Sequence, residues 1–115
     1  GATGQASLVG VAFEAGKSEL KPEAEPTLRA VALLLAENPS LKVFVVGSSD
    51  MTPDEPRDAE LSRQRAVAVV EGLAARHGVE RARIEPRWVG ALAPVATNRT
   101  DEGRARNRRV DLVER

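Results

Sequence analysis

The sequence predicts an α+β fold: a two-layer sandwich in which helices pack on one face of a mixed four-stranded sheet, in the order βαβαββ. Three observations carry that expectation. Two short apolar runs, partly β-branched, and two stretches that alternate apolar residues on one side suit strands better than helices. Two longer stretches repeat apolar residues at intervals of three and four, which gives each of two helices a single apolar stripe. At 115 residues there is material for one core only, so both stripes must be buried against the same sheet.

The first strand is expected over residues 7–13, where Leu8-Val9-Gly10-Val11-Ala12-Phe13 is short and apolar, with residues 1–6 a disordered or terminal segment and 7–115 the domain. Gly16 marks a turn. Lys21-Pro22-Glu23 then opens a helix, with proline tolerated in a first turn and acidic side chains near its positive end. Ala24, Leu28, Val31, Ala32 and Leu35 form its stripe, and Asn38-Pro39 stops it. Residues 41–46, with Val43-Phe44-Val45-Val46, read as the central strand, ending at Gly47. Residues 48–57 hold two prolines, two serines and aspartates without periodicity, so they read as a loop at that strand's carboxyl end, where ligands favour binding. A second helix follows, from Asp58 as N-cap to His77, with Ala66, Val69, Val70 and Leu73 inward and Gly78 as its stop. Pro86 pushes the strand over 83–90 toward an edge, and Trp88 reads as sheet packing rather than a ligand contact. A loop with Pro94, Asn98 and Gly103 precedes the last strand, where Val110 and Leu112 share a face.

Composition narrows the function. Seventeen basic residues balance seventeen acidic ones, so no global field draws the chain to nucleic acid or anionic lipid. The arginines at 99, 104, 106, 108 and 109 are offset by Asp101, Glu102, Asp111 and Glu114, which makes the tail a poor nucleic-acid site. No cysteine is present, which removes disulfides, thiolate metal sites and cysteine nucleophiles. No apolar run approaches the roughly 20 residues that span a bilayer, and Gly1-Ala2-Thr3-Gly4 lacks a signal segment, so the chain reads as a soluble piece cut from something longer. The one histidine, His77, sits about 18 Å along its helix from Arg65, too far to join a triad there. Neither an enzyme nor a cofactor is expected.

Two charges stand out by position: Asp50, in the loop after the central strand, and Arg65, in the second turn of the following helix. Flanking one cleft, they could hold a zwitterion, the carboxylate accepting from an ammonium and the guanidinium gripping a carboxylate. From spacing alone the simpler account is a surface salt bridge worth about 0–1 kcal/mol, with Asp50 shaping a turn.

Gly47-Ser48-Ser49-Asp50, followed by Leu61-Ser62-x-x-Arg65-Ala66, resembles in order and spacing the G-H-T-D…L-S-x-x-R-A pattern of the OmpA-like peptidoglycan-binding domains. Phe13 with Ser18-Glu19-Leu20-Lys21-Pro22, and later Gly90, Pro94, Asn98, Thr100, Gly103, Arg104 and Asn107-Arg108-Arg109-Val110, extend the likeness from about residue 8 to the end. The resemblance implies non-covalent recognition of diaminopimelate in uncrosslinked peptidoglycan stems. The two essential contacts fall on Asp50 and Arg65, with Ser49, Asp58 and Arg108 or Arg109 as ancillary contacts. It implies a place on the periplasmic face of the envelope, within an outer-membrane or membrane-anchored protein, without membrane insertion by the domain itself. The departures are Gly16 for an asparagine found in some members, Ser48-Ser49 for histidine and threonine, Pro53 for glycine and Asp58 for asparagine. They leave a second expectation: a degenerate module that serves dimerisation, as a homodimer, or another protein partner.

Overall fold

Alternation and β-branching set four strands: β1 (Gln5–Ala12), β2 (Val43–Gly47), β3 (Ile84–Trp88) and β4 (Arg109–Glu114). The computed structural model describes residues 5–115, with side chains from residue 11 onward. Of the terminal segment expected over 1–6, residues 1–4 lie outside the described residues, and β1 takes in Gln5 and Ala6. The strands line up as β1-β4-β2-β3, so β2 is interior, as its unbroken apolar run requires, and β3 is an edge. β4 pairs antiparallel with both β1 and β2, while β2 and β3 run parallel, which makes the sheet mixed. Pro86 is tolerated because the edge leaves one side of β3 without a partner.

Parallel neighbours need a crossover, and α2 (Glu55–His77) supplies it between β2 and β3. The stripe of α1 (Glu25–Glu37) buries Leu28, Val31 and Leu35, and α2 buries Ala66, Val69, Val70 and Leu73. Both meet Val11, Val43, Val45, Ile84, Val110 and Leu112 in one core. Across the sheet, the half-buried Phe44 is covered by the guanidinium groups of Arg87 and Arg115, 4.7 and 5.6 Å from its ring centre.

Three details differ from the sequence-based expectation. Residues 22–24 form a 3-10 turn before α1 rather than its first α-helical turn. A third helix, α3 (Asp101–Asn107), occupies what reads as a loop: the Thr100 hydroxyl accepts from the Gly103 amide at 3.0 Å, and Asp101 and Glu102 lie in its first turn. Only Gly103 and Asn107 of α3 are buried, so it leaves no apolar stripe in the sequence. Trp88 ends the edge strand 44% exposed, not packed into the sheet, because no layer covers that corner.

α2 also begins earlier than expected. Asp54, not Asp58, is its N-cap, accepting from the Arg57 amide at 3.1 Å, and Pro56 sits in the first turn where a missing N–H costs nothing. Gly78 closes the helix as expected, at φ 67°, with its amide bonded to the Leu73 carbonyl. Near this end His77 Nε2 lies 2.6 Å from Glu25 Oε1, tying the finish of α2 to the start of α1.

Candidate functional site

The loop after β2 leaves the sheet where α2 crosses it at backbone contact. A Cβ on Gly47 would fall 2.0 Å from the Ser62 carbonyl oxygen, so only glycine lets strand and helix meet there. The Ser62 hydroxyl donates to the Ala59 carbonyl at 2.7 Å and accepts from the Gly90 amide at 2.9 Å. The Ser49 amide in turn donates to the Gly90 carbonyl, stitching the loop after β2 to the one after β3. Asn107, fully buried, accepts from the Val95 and Ala96 amides and donates to Asn98 Oδ1. That same oxygen accepts from the Met51 amide, so α3 holds the residue next to Asp50.

A cleft of about 480 Å³ opens beside this scaffold, lined by Gly16, Asp50, Thr52, Asp54, Arg57 and Asp58 among others. Asp50 is nearly covered, its side chain 13% exposed, and Oδ2 lies 3.6 Å from Arg108 Nη1. Arg108 also donates to the Phe13 carbonyl at 2.8 Å, which fixes it between β1's end and the cleft. Asp58 is spent on the loop: Oδ2 accepts from the Thr52 amide at 2.9 Å and Oδ1 from the Thr52 hydroxyl at 2.6 Å. Its negative charge is therefore turned to local donors. We expect Asp58→Ala to lower stability by about 2 kcal/mol and to speed hydrogen exchange at the Thr52 amide, because two hydrogen bonds to a buried carboxylate are lost. An unchanged exchange rate would show that the loop holds its shape without Asp58.

Arg65 turns toward the loop, as its helix position implies, but it does not border the cleft. The residue has no exposed surface. Nε donates to the Lys17 carbonyl at 2.9 Å, Nη2 to the Glu14 carbonyl at 3.1 Å and Nη1 to the Ser48 carbonyl at 3.3 Å, while the Phe13 ring centre lies 5.3 Å from Cζ. Burial lowers its pKa to about 10, the carboxylate of Asp50 works against that shift and the charge of Arg108 adds to it. Arg65 is still cationic at neutral pH. Among the described residues no ion pair joins it to Asp50, so the simple surface salt bridge is not what forms.

The remaining expected residues divide. Gly16 borders the cleft at φ +71°, where a side chain would be strained. Ser48 and Ser49 are buried, each with a hydroxyl that finds no hydrogen-bond partner. Arg109 points elsewhere, pairing with Asp111 at 3.1 Å and donating to the Ala93 carbonyl at 2.8 Å. No motif or spacing singles out Arg57, an exposed guanidinium at the cleft's rim. No group of three or more histidine, aspartate or glutamate side chains suited to a metal occurs among the described residues.

The model of the OmpA family matches residues 12–108. The chain belongs to the OmpA family. Among its relatives, the probable lipoprotein YiaD of Escherichia coli (strain K12) is 39% identical over 103 residues, 90% of this chain and 47% of YiaD. The peptidoglycan-binding protein ArfA of Mycobacterium tuberculosis (strain ATCC 25618 / H37Rv) is also 39% identical over 103 residues, 90% of this chain and 31% of ArfA. This chain thus spans less than half the length of either relative. The crystal structure of the peptidoglycan-associated lipoprotein from Burkholderia pseudomallei superposes with a TM-score of 0.85 at 28% identity, covering 91% of this chain and 88% of that one. The OmpA setting is the bacterial envelope, where such a domain lies on the periplasmic face. No helix among the described residues is long and apolar enough to cross a membrane.

Proposed function

We propose that this OmpA domain binds peptidoglycan non-covalently through the diaminopimelate of uncrosslinked stem peptides and so anchors a larger envelope protein to the wall. The observation that carries this reading is the cleft itself, open to solvent, with Asp50 on its wall and no hydrogen bond to that carboxylate among the described residues. A nearly buried carboxylate at the edge of such a cleft suits an ammonium, because a charge-assisted hydrogen bond gains strength where water is scarce. Relatives whose names mark them as peptidoglycan-binding or peptidoglycan-associated support the same ligand class. On this reading the domain is a binder, not an enzyme, and its parent is an outer-membrane or membrane-anchored protein.

Most of the expected contacts, Arg109 excepted, then have a place around the cleft. Asp50 receives the ammonium, and Arg108 holds Asp50 in place. Arg65 works from beneath the floor: its charge lies near Asp50, and its hydrogen bonds to the carbonyls of Glu14 and Lys17 hold the turn that carries Gly16. Asp58 shapes the Thr52 wall, while the Ser49 hydroxyl is buried behind the cleft and does not line it. One or two charge-assisted contacts at roughly 1.5–3 kcal/mol each give weak to moderate binding after association costs, and many copies on one wall would add avidity.

Co-sedimentation with purified peptidoglycan tests the proposal. The unaltered domain should pellet with the wall, and Asp50→Asn should stay in the supernatant at least about tenfold more. Equal pelleting of the two proteins would remove Asp50 from the site, and no pelleting of either would end the anchoring proposal.

A further inference from the structure

The charges around the cleft are unequally committed. Asp54 caps α2, Asp58 is engaged by Thr52, and one oxygen of Asp50 faces Arg108. Of the cations, Arg65 is sealed below with hydrogen bonds to three carbonyls, and Arg108 is held between Asp50 and the Phe13 carbonyl. Arg57 is different. It lines the cleft, is exposed, and its side chain makes no hydrogen bond or ion pair among the described residues. Its Nη2 would lie 3.6 Å from a Cβ built on Gly16, so the guanidinium stands over the glycine, in space that a longer side chain at that position would contest.

We infer that Arg57 receives the carboxylate of the ligand's amino-acid end while Asp50 takes its ammonium, an assignment that rests on the wall-binding function proposed above. The guanidinium presents a planar fork of N–H donors that matches a carboxylate in bidentate fashion, and here that fork is not occupied. The cleft is otherwise lined by three carboxylates, from Asp50, Asp54 and Asp58, which would repel a ligand carboxylate that lacked this partner. Arg57 thereby supplies the polar contact that Gly16 lacks, and it makes a free carboxylate on the ligand a requirement for tight binding.

The test uses two probes that share one diamine skeleton, meso-diaminopimelate and cadaverine, which carries hydrogen in place of both carboxyl groups. Each is titrated into the wild-type domain, Arg57→Gln and Asp50→Asn and followed by NMR shifts. Arg57→Gln should weaken meso-diaminopimelate about tenfold and cadaverine less than about twofold, whereas Asp50→Asn should weaken both. Because Arg57 is exposed and its side chain makes no hydrogen bond or ion pair with described neighbours, Arg57→Gln should melt with the wild type. Arg57→Gln binding meso-diaminopimelate as tightly as the wild type, or losing the two probes equally, would overturn the assignment and leave the wall-binding proposal standing. Failure of the wild type to bind meso-diaminopimelate, or indifference of both probes to Asp50→Asn, would remove that proposal and this inference with it.

Discussion

Gly47→Ala is expected to destabilise the domain by about 4 kcal/mol, a large share of the roughly 5–15 kcal/mol that holds a domain of this size together. The added methyl would sit 2.0 Å from the Ser62 carbonyl oxygen, 3.0 Å from its carbonyl carbon and 3.1 Å from the Ala66 amide nitrogen. All three are backbone atoms of α2, so no side-chain rotation relieves the clash. The helix must lift from β2, which opens the core at Ala66 and Val69 and pulls Ser62 from its hydrogen bond to Gly90. Thermal unfolding should report a midpoint lower by roughly 15 °C, at about 4 °C per kcal/mol. A midpoint within a few degrees of the wild type would mean that the strand and helix are not pinned this closely in solution.

Arg65→Met is expected to cost about 3 kcal/mol, for a reason of opposite kind. Burial of the guanidinium is itself unfavourable, as the lowered pKa shows, and methionine of similar length relieves that penalty while filling the space. Against this, the carbonyls of Lys17, Ser48 and Glu14 lose a charged donor, and Ser48 is 1% exposed, so water cannot easily replace it. The unmade hydrogen bonds outweigh the relief. Urea denaturation should show a lower midpoint at an unchanged slope, and wall retention should fall because the Gly16 turn is no longer held. A loss below about 1 kcal/mol would mean that the carbonyls find other partners.

The pH dependence of the pair follows from the same group. Below about pH 10 Arg65 is protonated in both folded and unfolded chains, so it adds no slope. Only above about pH 10 does the folded state release the proton while the unfolded state, with the ordinary higher pKa of a guanidinium, retains it, and there this group makes stability rise with pH. Curves for wild type and Arg65→Met should therefore run parallel between about pH 6 and pH 9. A gap between the two curves that widens with rising pH within that range would place the folded-state pKa well below about 10.

Much of the fold was legible because its signals are local. The stripes of α1 and α2, the interior placement of β2, the edge placement of β3 and the stop at Gly78 each depend on residues within a few positions of one another. α3 was missed because seven residues with two buried positions show no period, although Thr100 followed by two acids carried a cap signal. The start of α2 moved from Asp58 to Asp54 because two aspartates four apart offer equivalent caps, and the Thr52 contact decides between them.

By itself the sequence determined the α+β class, the family, the loop that carries Asp50 and the position of Arg65 one helix away. Only the tertiary structure decided which charges face water. The acceptors of Arg65 lie 51, 48 and 17 positions away in the chain, and they close over it through packing that no local pattern encodes. Arg57, eight residues earlier on the same helix, faces the cleft instead. Propensity and periodicity act over a turn or two, whereas exposure of a charge is set by whichever distant segments the core brings against it.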